Sequence, residues 1–342
     1  MKMFPRILSI VALTALTLTT TQCRRAKQVP STALENGTQS PAAKAPENSP
    51  AAGKPNAADL PGFELIPGGE FTMGDALDGD KAALPHKVNI SAFYMQKKEV
   101  SKAEWDEVRA WGVKNGYTDL PEGKGKAAEH PVQTVSWYDV VKWCNAKSVK
   151  EGLIPCYYTD AAQTAVYQTG KSDLANTMVK WSTNGYRLPT EAEWEKAARD
   201  GLSGNRFPWG DTITHSQANY NSIDIYNYDV SPTRAYHPLW SNNNDGNYPF
   251  TSPVGSFAAN GYGLYDMAGN VWEWCWDWYG SYSSTSQVDP RGSATSLYGS
   301  NRVLRGGCWF HDADSTRCAY RSYIWPDHAY IFYGFRLARG QP

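Results

Sequence analysis

Apolar side chains recur at helical spacing in two stretches of the chain. Trp105, Val108 and Trp111 form one stripe and Val140, Val141 and Cys144 another, each stepping by one to four residues as a single buried helix face requires. Ser101, Ser136 and Thr190 are each followed three residues later by an acid, Glu104, Asp139 and Glu193. That spacing predicts three helix starts, the first and third as full capping boxes and the second as a weaker variant. Gly152 and Gly201 are expected to end the second and third helices. Between residues 200 and 260 no period of 2 or 3.6 persists, and Asn, Gly, Pro, Tyr and Trp predominate. Long loops of this kind stay ordered inside a compact domain only for a reason such as metal, disulfide or function. Short strands are expected over 301–304 and 334–337, bracketing a turn-rich segment. No boundary or internal repeat is visible after residue 62, so 62–340 reads as one domain.

The start of the chain has a different pattern. Lys2 and Arg6 precede an apolar run from Ile7 to Leu18, which reads as a secretory signal over 1–22, too short to span a bilayer. Cys23 follows Thr19, Thr20, Thr21 and Gln22, a junction that resembles a bacterial lipobox although Thr20 and Gln22 depart from its pattern. The expectation is a lipidated cysteine heading a disordered tether over 23–61, rich in Ala, Pro, Asn, Ser and Lys. A flexible linker of that length spans roughly 30–40 Å. It would hold the domain clear of a bacterial outer membrane, at the cell surface.

Composition narrows the functions. With 33 basic and 34 acidic residues, no excess of positive charge exists to neutralise a phosphate backbone, so nucleic acid is not an expected partner. The 14 Trp and 21 Tyr, beside 29 Gly and 21 Pro, describe a loop-rich fold pinned by rings. Cys144, Cys156, Cys275, Cys308 and Cys318 are odd in number for an oxidising compartment. The preferred pairs are Cys144 with Cys156 and Cys308 with Cys318, with buried free thiols as the open alternative. None has the CxxC spacing of a zinc or redox site.

An ordered series of motifs carries a resemblance. Phe71-Thr72-Met73-Gly74, His130-Pro131-Val132, Arg187-Leu188-Pro189-Thr190-Glu191-Ala192-Glu193-Trp194, Phe207-Pro208-Trp209-Gly210, Asn260-Gly261-Tyr262-Gly263-Leu264-Tyr265-Asp266-Met267-Ala268-Gly269-Asn270-Val271-Trp272-Glu273-Trp274 and Arg302-Val303-Leu304-Arg305-Gly306-Gly307 follow one another. Together they resemble the formylglycine-generating enzyme (sulfatase-modifying factor) family over about 62–340. The resemblance implies an α+β, C-type lectin fold of that type, loop-rich with short helices and small antiparallel sheets. It also implies calcium held by Asp266, the carbonyls of Gly269 and Val271, and Glu273, an oxygen set suited to a hard cation. Asn219, Tyr220, Asp245 and Asn247 suggest a second such site.

The family's oxidase uses copper on two cysteines placed after the final Gly-Gly. Here Cys308 and Cys318 do not fall at those positions, so neither copper nor catalysis is expected. His86, His130, His215 and His237 stand singly in loops and do not suggest the histidine cluster of an iron-dependent branch. The segment from Cys308 to Tyr333 instead resembles the variable region of retroelement-diversified proteins of the Treponema variable protein A type, and Phe310–Tyr333 contains no Lys, Glu, Gln or Met. Asn codons mutated at their adenines cannot produce those four residues. Phe310, His311, Asp312, Asp314, Ser315, Tyr320, Tyr323, Ile324, Asp327, His328, Tyr330, Ile331 and Phe332 are therefore the expected ligand-binding residues. Their mixture of rings and small polar groups is the one paratopes use. The partner implied is a protein or other macromolecule on host or neighbouring cells. Two alternatives stand beside this reading: an exported copper oxidase acting on a protein cysteine, and a constant structural adhesin.

Overall fold

A computed structural model describes residues 60–77, 79–241, 248–297 and 299–341. The expected signal over 1–22, Cys23, nearly all of the tether, and Asp245 and Asn247 lie outside them. In chain order the elements are β1 (Phe63–Ile66), β2 (Gly69–Met73), β3 (His86–Ile90), β4 (Phe93–Gln96), α1 (Lys102–Gly112), α2 (Trp137–Lys150), α3 (Glu191–Arg199), β5 (Trp272–Trp278), β6 (Gln287–Val288), β7 (Arg302–Arg305), β8 (Ser322–Ile324), β9 (Tyr333–Gly334) and β10 (Ala338–Gly340). Among the described residues no helix is long and apolar enough to cross a membrane.

The helices begin at the expected caps, with one exchange of detail. Ser136 and Asp139 complete a full capping box, Asp139 accepting from the Ser136 amide at 3.0 Å and donating its own amide to Ser136 Oγ at 3.2 Å. Thr190 and Glu193 do the same. Ser101 caps the Glu104 amide, but the Glu104 carboxylate turns away to accept from Gln96 Nε2 and to pair with Lys147. The first box is thus one-sided because tertiary partners claim the acid. Gly152 and Gly201 follow α2 and α3 at φ +73° and +78°, the left-handed backbone that glycine adopts without penalty.

Three small sheets result among the described residues, in the orders β1-β4-β10, β2-β3-β6 and β8-β7-β5-β9. Two contain a parallel pair, β3 with β6 and β5 with β9, so the sheets are mixed rather than purely antiparallel. The strand expected over 334–337 is instead split into β9 and β10. The first pairing ends at Gly334, where a Cβ would lie 2.8 Å from Val132 O and Val271 Cγ2, and the chain then crosses to pair Ala338 with Met95.

Rings fill the main core between α1, α2 and the four-stranded sheet. Trp105 and Trp143 stack at 5.6 Å, and Phe335 sets its edge against both. A second core lies under α3 and β3, and a third, around Phe207, Ile213, Tyr220 and Tyr228, holds the loops between α3 and β5. Those loops are ordered by buried hydrogen bonds. Asp229 accepts from Tyr220 Oη at 2.7 Å and Ser222 Oγ at 2.8 Å.

All five described cysteines are free and buried, so neither expected disulfide forms. Cys308 belongs to the main core and Cys318 to the second. Cys144 and Cys156 share the main core as separate thiols, packing as small apolar groups.

Candidate ligand-binding face

β7 runs into Gly306 and Gly307, whose φ values of +92° and +75° turn the chain sharply. A Cβ at Gly307 would lie 2.7 Å from Thr316 Cγ2. The turn drives Trp309 into the interior, fully buried, where its amide donates to Asn270 O at 3.0 Å. With Trp309 inside, Phe310 is left outside, 40% exposed, resting on Phe332 at 5.1 Å and on Tyr236 at 5.9 Å. The chain's return pass is held by main-chain bonds, Thr134 N to Tyr330 O and Trp272 N to Phe332 O.

A continuous run of rings follows. Phe310 touches Phe332, Phe332 touches Tyr333 at 6.4 Å, Tyr333 touches Tyr330 at 5.8 Å, and Tyr330 touches His328 at 5.5 Å. Tyr330 is 51% exposed, and Asp327 beside this run is exposed as well. Gly306, Gly307, Trp309, Arg317, Ala319, Arg321, Pro326, Gly334 and Phe335, interleaved with these positions, are all buried. The segment therefore alternates a rigid interior with a ring-lined exterior.

His311 is bound as well as placed. Trp272 Nε1 donates to His311 Nδ1 at 3.2 Å, and Cys308 Sγ lies 3.0 Å from the same nitrogen. An indole N–H only donates, so Nδ1 is the acceptor and the neutral ring carries its proton on Nε2. Burial pushes the His311 pKa down and the Cys308 thiol up to about 12. Tyr320 packs its ring on Trp272 at 6.0 Å, half-buried, and Ile331 lies half-buried between Tyr330 and Phe332.

Not every expected residue joins this face. Ser315 is buried in a 3-10 turn, its amide and hydroxyl donating to Asp312 Oδ1. Asp314 accepts from Tyr228 Oη at 3.1 Å and Arg317 Nε at 2.8 Å. These three side chains fasten the turn. Tyr323 sits on β8 opposite Val303 and packs on Tyr279 at 4.2 Å, whereas Ile324 packs on the main core. Successive strand residues point to opposite sides, so Tyr323 and Ile324 cannot share one surface. Residues outside the expected set do reach the face: Tyr236 stacks on Phe310, Tyr248 packs on Trp309, and Trp325, 54% exposed, abuts His328. Tyr236 and Tyr248 belong to an aperiodic loop, which left no sequence signal of where they point.

The calcium set can be tested on its donors. Asp266 and Glu273 are buried with Glu99, and Arg336 is the guanidinium among them. Glu273 accepts from Arg336 Nε and Nη2 at 2.7 and 2.6 Å and from Trp194 Nε1 at 2.7 Å. Asp266 accepts from the Gly255 amide through Oδ2, while its Oδ1 is buried without a partner. Burial, and to a smaller degree Glu273, push Asp266 up to about 6. The orphaned Asp266 Oδ1 is an oxygen donor of the kind a hard cation takes, whereas Glu273 is held by Arg336 and Trp194 and Glu99 by Asn270 and the Val271 amide. Asp266 would supply the free oxygen and Gly269 and Val271 their carbonyls, with Glu273 shared with Arg336; the ion would supply positive charge to the buried loop. Glu99, accepting from Asn270 Nδ2 at 2.6 Å, was not identifiable from its spacing.

The histidines do not all stand singly, since the His215 and His237 rings lie 5.0 Å apart. His237 Nε2 donates to His215 O at 2.7 Å, His215 Nε2 to Tyr220 O at 3.2 Å, and His130 Nδ1 contacts Thr251 Oγ1 at 3.0 Å. Among the described residues no three His, Cys, Asp or Glu side chains form a metal-binding group.

Comparison with known proteins gives the family and the fold. The model of the sulfatase-modifying factor enzyme 1-like domain matches residues 49–341. A formylglycine-generating enzyme of Streptomyces coelicolor is 35% identical over 315 residues, covering 84% of this chain and 93% of that protein. Chaperone protein LppX of Paenibacillus barcinonensis is 31% identical over 262 residues, covering 75% and 81%. The solved structure of Treponema denticola variable protein 1 aligns with a TM-score of 0.61 at 30% identity, covering 82% of this chain and 95% of that one.

Proposed function

We propose a use of this fold other than catalysis: the chain belongs to the sulfatase-modifying factor enzyme 1-like family, and it serves there as a surface-displayed ligand-binding protein with a diversified face. The observation that carries this reading is the unbroken run of exposed and half-exposed rings from Phe310 to His328, mounted on interleaved buried residues. Exposed substitutions usually cost within about half a kcal/mol, whereas core truncations cost roughly 2–5. Such a segment can be rewritten at its exterior positions without unfolding. A solved relative is itself named a variable protein. Lipid at Cys23 would display the domain at the outer membrane, and the ligand would be a protein or other macromolecule on host or neighbouring cells.

Sequencing the locus tests the proposal. The expected result is a near-copy of the segment encoding 308–337, with adenines at the exterior positions, beside a reverse transcriptase gene. A locus without that copy, invariant across passaged populations, would remove diversification and leave the constant adhesin.

The second reading is a copper oxidase acting on a protein cysteine, which the formylglycine-generating relatives favour. Against it stand the thiols. Cys308 and Cys318 occupy different cores, and burial pushes both up to about 12, whereas copper(I) and nucleophilic chemistry need thiolates.

A further inference from the structure

We propose that a groove away from the ring-lined face, centred on Arg291 and Trp181, binds the carboxylate or sulfate groups of an acidic glycan. The groove, about 800 Å³, lies between the turn joining β3 to β4, the loop at 179–182, the start of α3 and the loop at 289–291. None of the expected ligand-binding residues lines it.

Its distinguishing feature is a held but unpartnered cation. The Arg291 guanidinium lies 4.3 Å from the centre of the Trp181 ring. Both neighbours of the stack are fixed. Trp181 Nε1 donates to Asn176 O at 3.1 Å, and Asn176 Nδ2 donates to the Arg291 carbonyl at 3.3 Å. Asp289 staples the loop to the turn by accepting from the Ser91 amide and hydroxyl at 2.6 and 2.7 Å. A second guanidinium on the same ring, Arg187 at 5.3 Å, already gives both terminal nitrogens to a two-point pair with Glu193. The Arg291 guanidinium has no hydrogen bond or ion pair within the described residues, and neither does the amine of Lys180 on the same wall.

Chemistry selects the ligand. A planar guanidinium fixed by stacking offers its N–H edge to a carboxylate or sulfate in two-point geometry, with little rotamer entropy left to lose. On the remaining wall Ser91 is bound to Asp289, Gln163 to the carbonyls of Thr177 and Val179, and Thr190 to the Glu193 amide, which leaves the Ser182 hydroxyl beside short apolar patches. An open groove of this size, with two free cations on its walls, suits a polar chain bearing spaced negative charges. It lacks the deep apolar pocket that anchors peptide side chains.

The test titrates the full-length chain with a heparin octasaccharide and with an oligogalacturonate, using polyglutamate and sodium sulfate as comparators. Either glycan should bind the wild type, and Arg291→Ala should weaken that binding by at least about tenfold, as loss of a charge-assisted contact implies. Arg291→Lys keeps the charge without the planar edge and should fall between. Lys180→Ala should weaken binding, whereas Tyr330→Ala should not. Equal affinity of wild type and Arg291→Ala, or no binding of either glycan, overturns the proposal. Polyglutamate bound as tightly as the glycans would assign an acidic peptide instead, and sulfate bound equally would assign a free anion; each overturns the glycan. Thermal unfolding of each variant confirms that the fold persists, and Arg291→Lys carries the test if Arg291→Ala does not fold.

Discussion

Cys308 Sγ lies 3.0 Å from His311 Nδ1, and that nitrogen also accepts from Trp272. A cysteine beside a histidine is the arrangement of an activated nucleophile, but the chemistry here runs the other way. Burial raises the thiol to about 12 and lowers the imidazole, so the pair is a neutral thiol beside a neutral ring. In the native protein the described thiols should resist a disulfide-exchange reagent at pH 8 and react fully in denaturant. A sulfatase-motif peptide incubated with the protein, copper and oxygen should keep its cysteine; its conversion to an aldehyde would promote the oxidase reading.

The ring-lined face should tolerate joint replacement. Phe310, Asp327 and Tyr330 changed together to serine should leave the unfolding midpoint within a few degrees of wild type, since exposed changes cost about half a kcal/mol or less each. Trp309→Ala, which empties the interior beneath them, should cost about 3–5 kcal/mol. Once a ligand is in hand, Phe310→Ala or Tyr330→Ala should cost about 2 kcal/mol of affinity. Unfolding of the serine variant would return these rings to the core.

Calcium is testable through stability. Removing the ion with a chelator should lower the melting temperature of the wild type, because a ligand at 100 times its Kd adds about 2.7 kcal/mol. Asp266→Asn should melt at the same temperature with and without chelator. A wild type indifferent to chelation would mean that Arg336 alone balances Glu273.

Acid should weaken the fold through His237. Its two nitrogens are used by His215 O and the Leu239 amide, and burial pushes it down to about 4. Between pH 6.5 and 4 the unfolded chain takes up a proton there that the folded chain refuses. The stability is therefore fully present above pH 6.5 and is lost as pH falls toward 4. Asp277 acts in the opposite sense, because burial and Glu191 push it up to about 8. Comparing melting temperatures of wild type and His237→Gln across this range isolates the histidine, and the variant should show the shallower fall.

Lipidation at Cys23 predicts that the full-length protein enters the detergent phase on phase partitioning and that Cys23→Ala remains in water. Identical partitioning would remove the anchor while leaving the domain assignment intact.

Local order decided what could be read in advance. The helix starts at Ser101, Ser136 and Thr190 were legible because a cap and its acid sit three residues apart whatever surrounds them. Other features depended on neighbours remote in sequence. Glu104 left its box for Gln96 and Lys147, and Cys308 and Cys318 went to different cores. Tyr323 faced Tyr279 through the alternation of a strand whose register is set by β7, and Ser315 was enclosed by its own turn. Tyr236 came to Phe310 from a loop without period. The sequence by itself determined the helix starts, through short-range spacing, and the fold, through the family resemblance that its ordered motifs carry. Only the tertiary structure decided which side chains from Phe310 to Tyr333 reach solvent together, because exposure depends on what packs behind each residue and no local pattern encodes it.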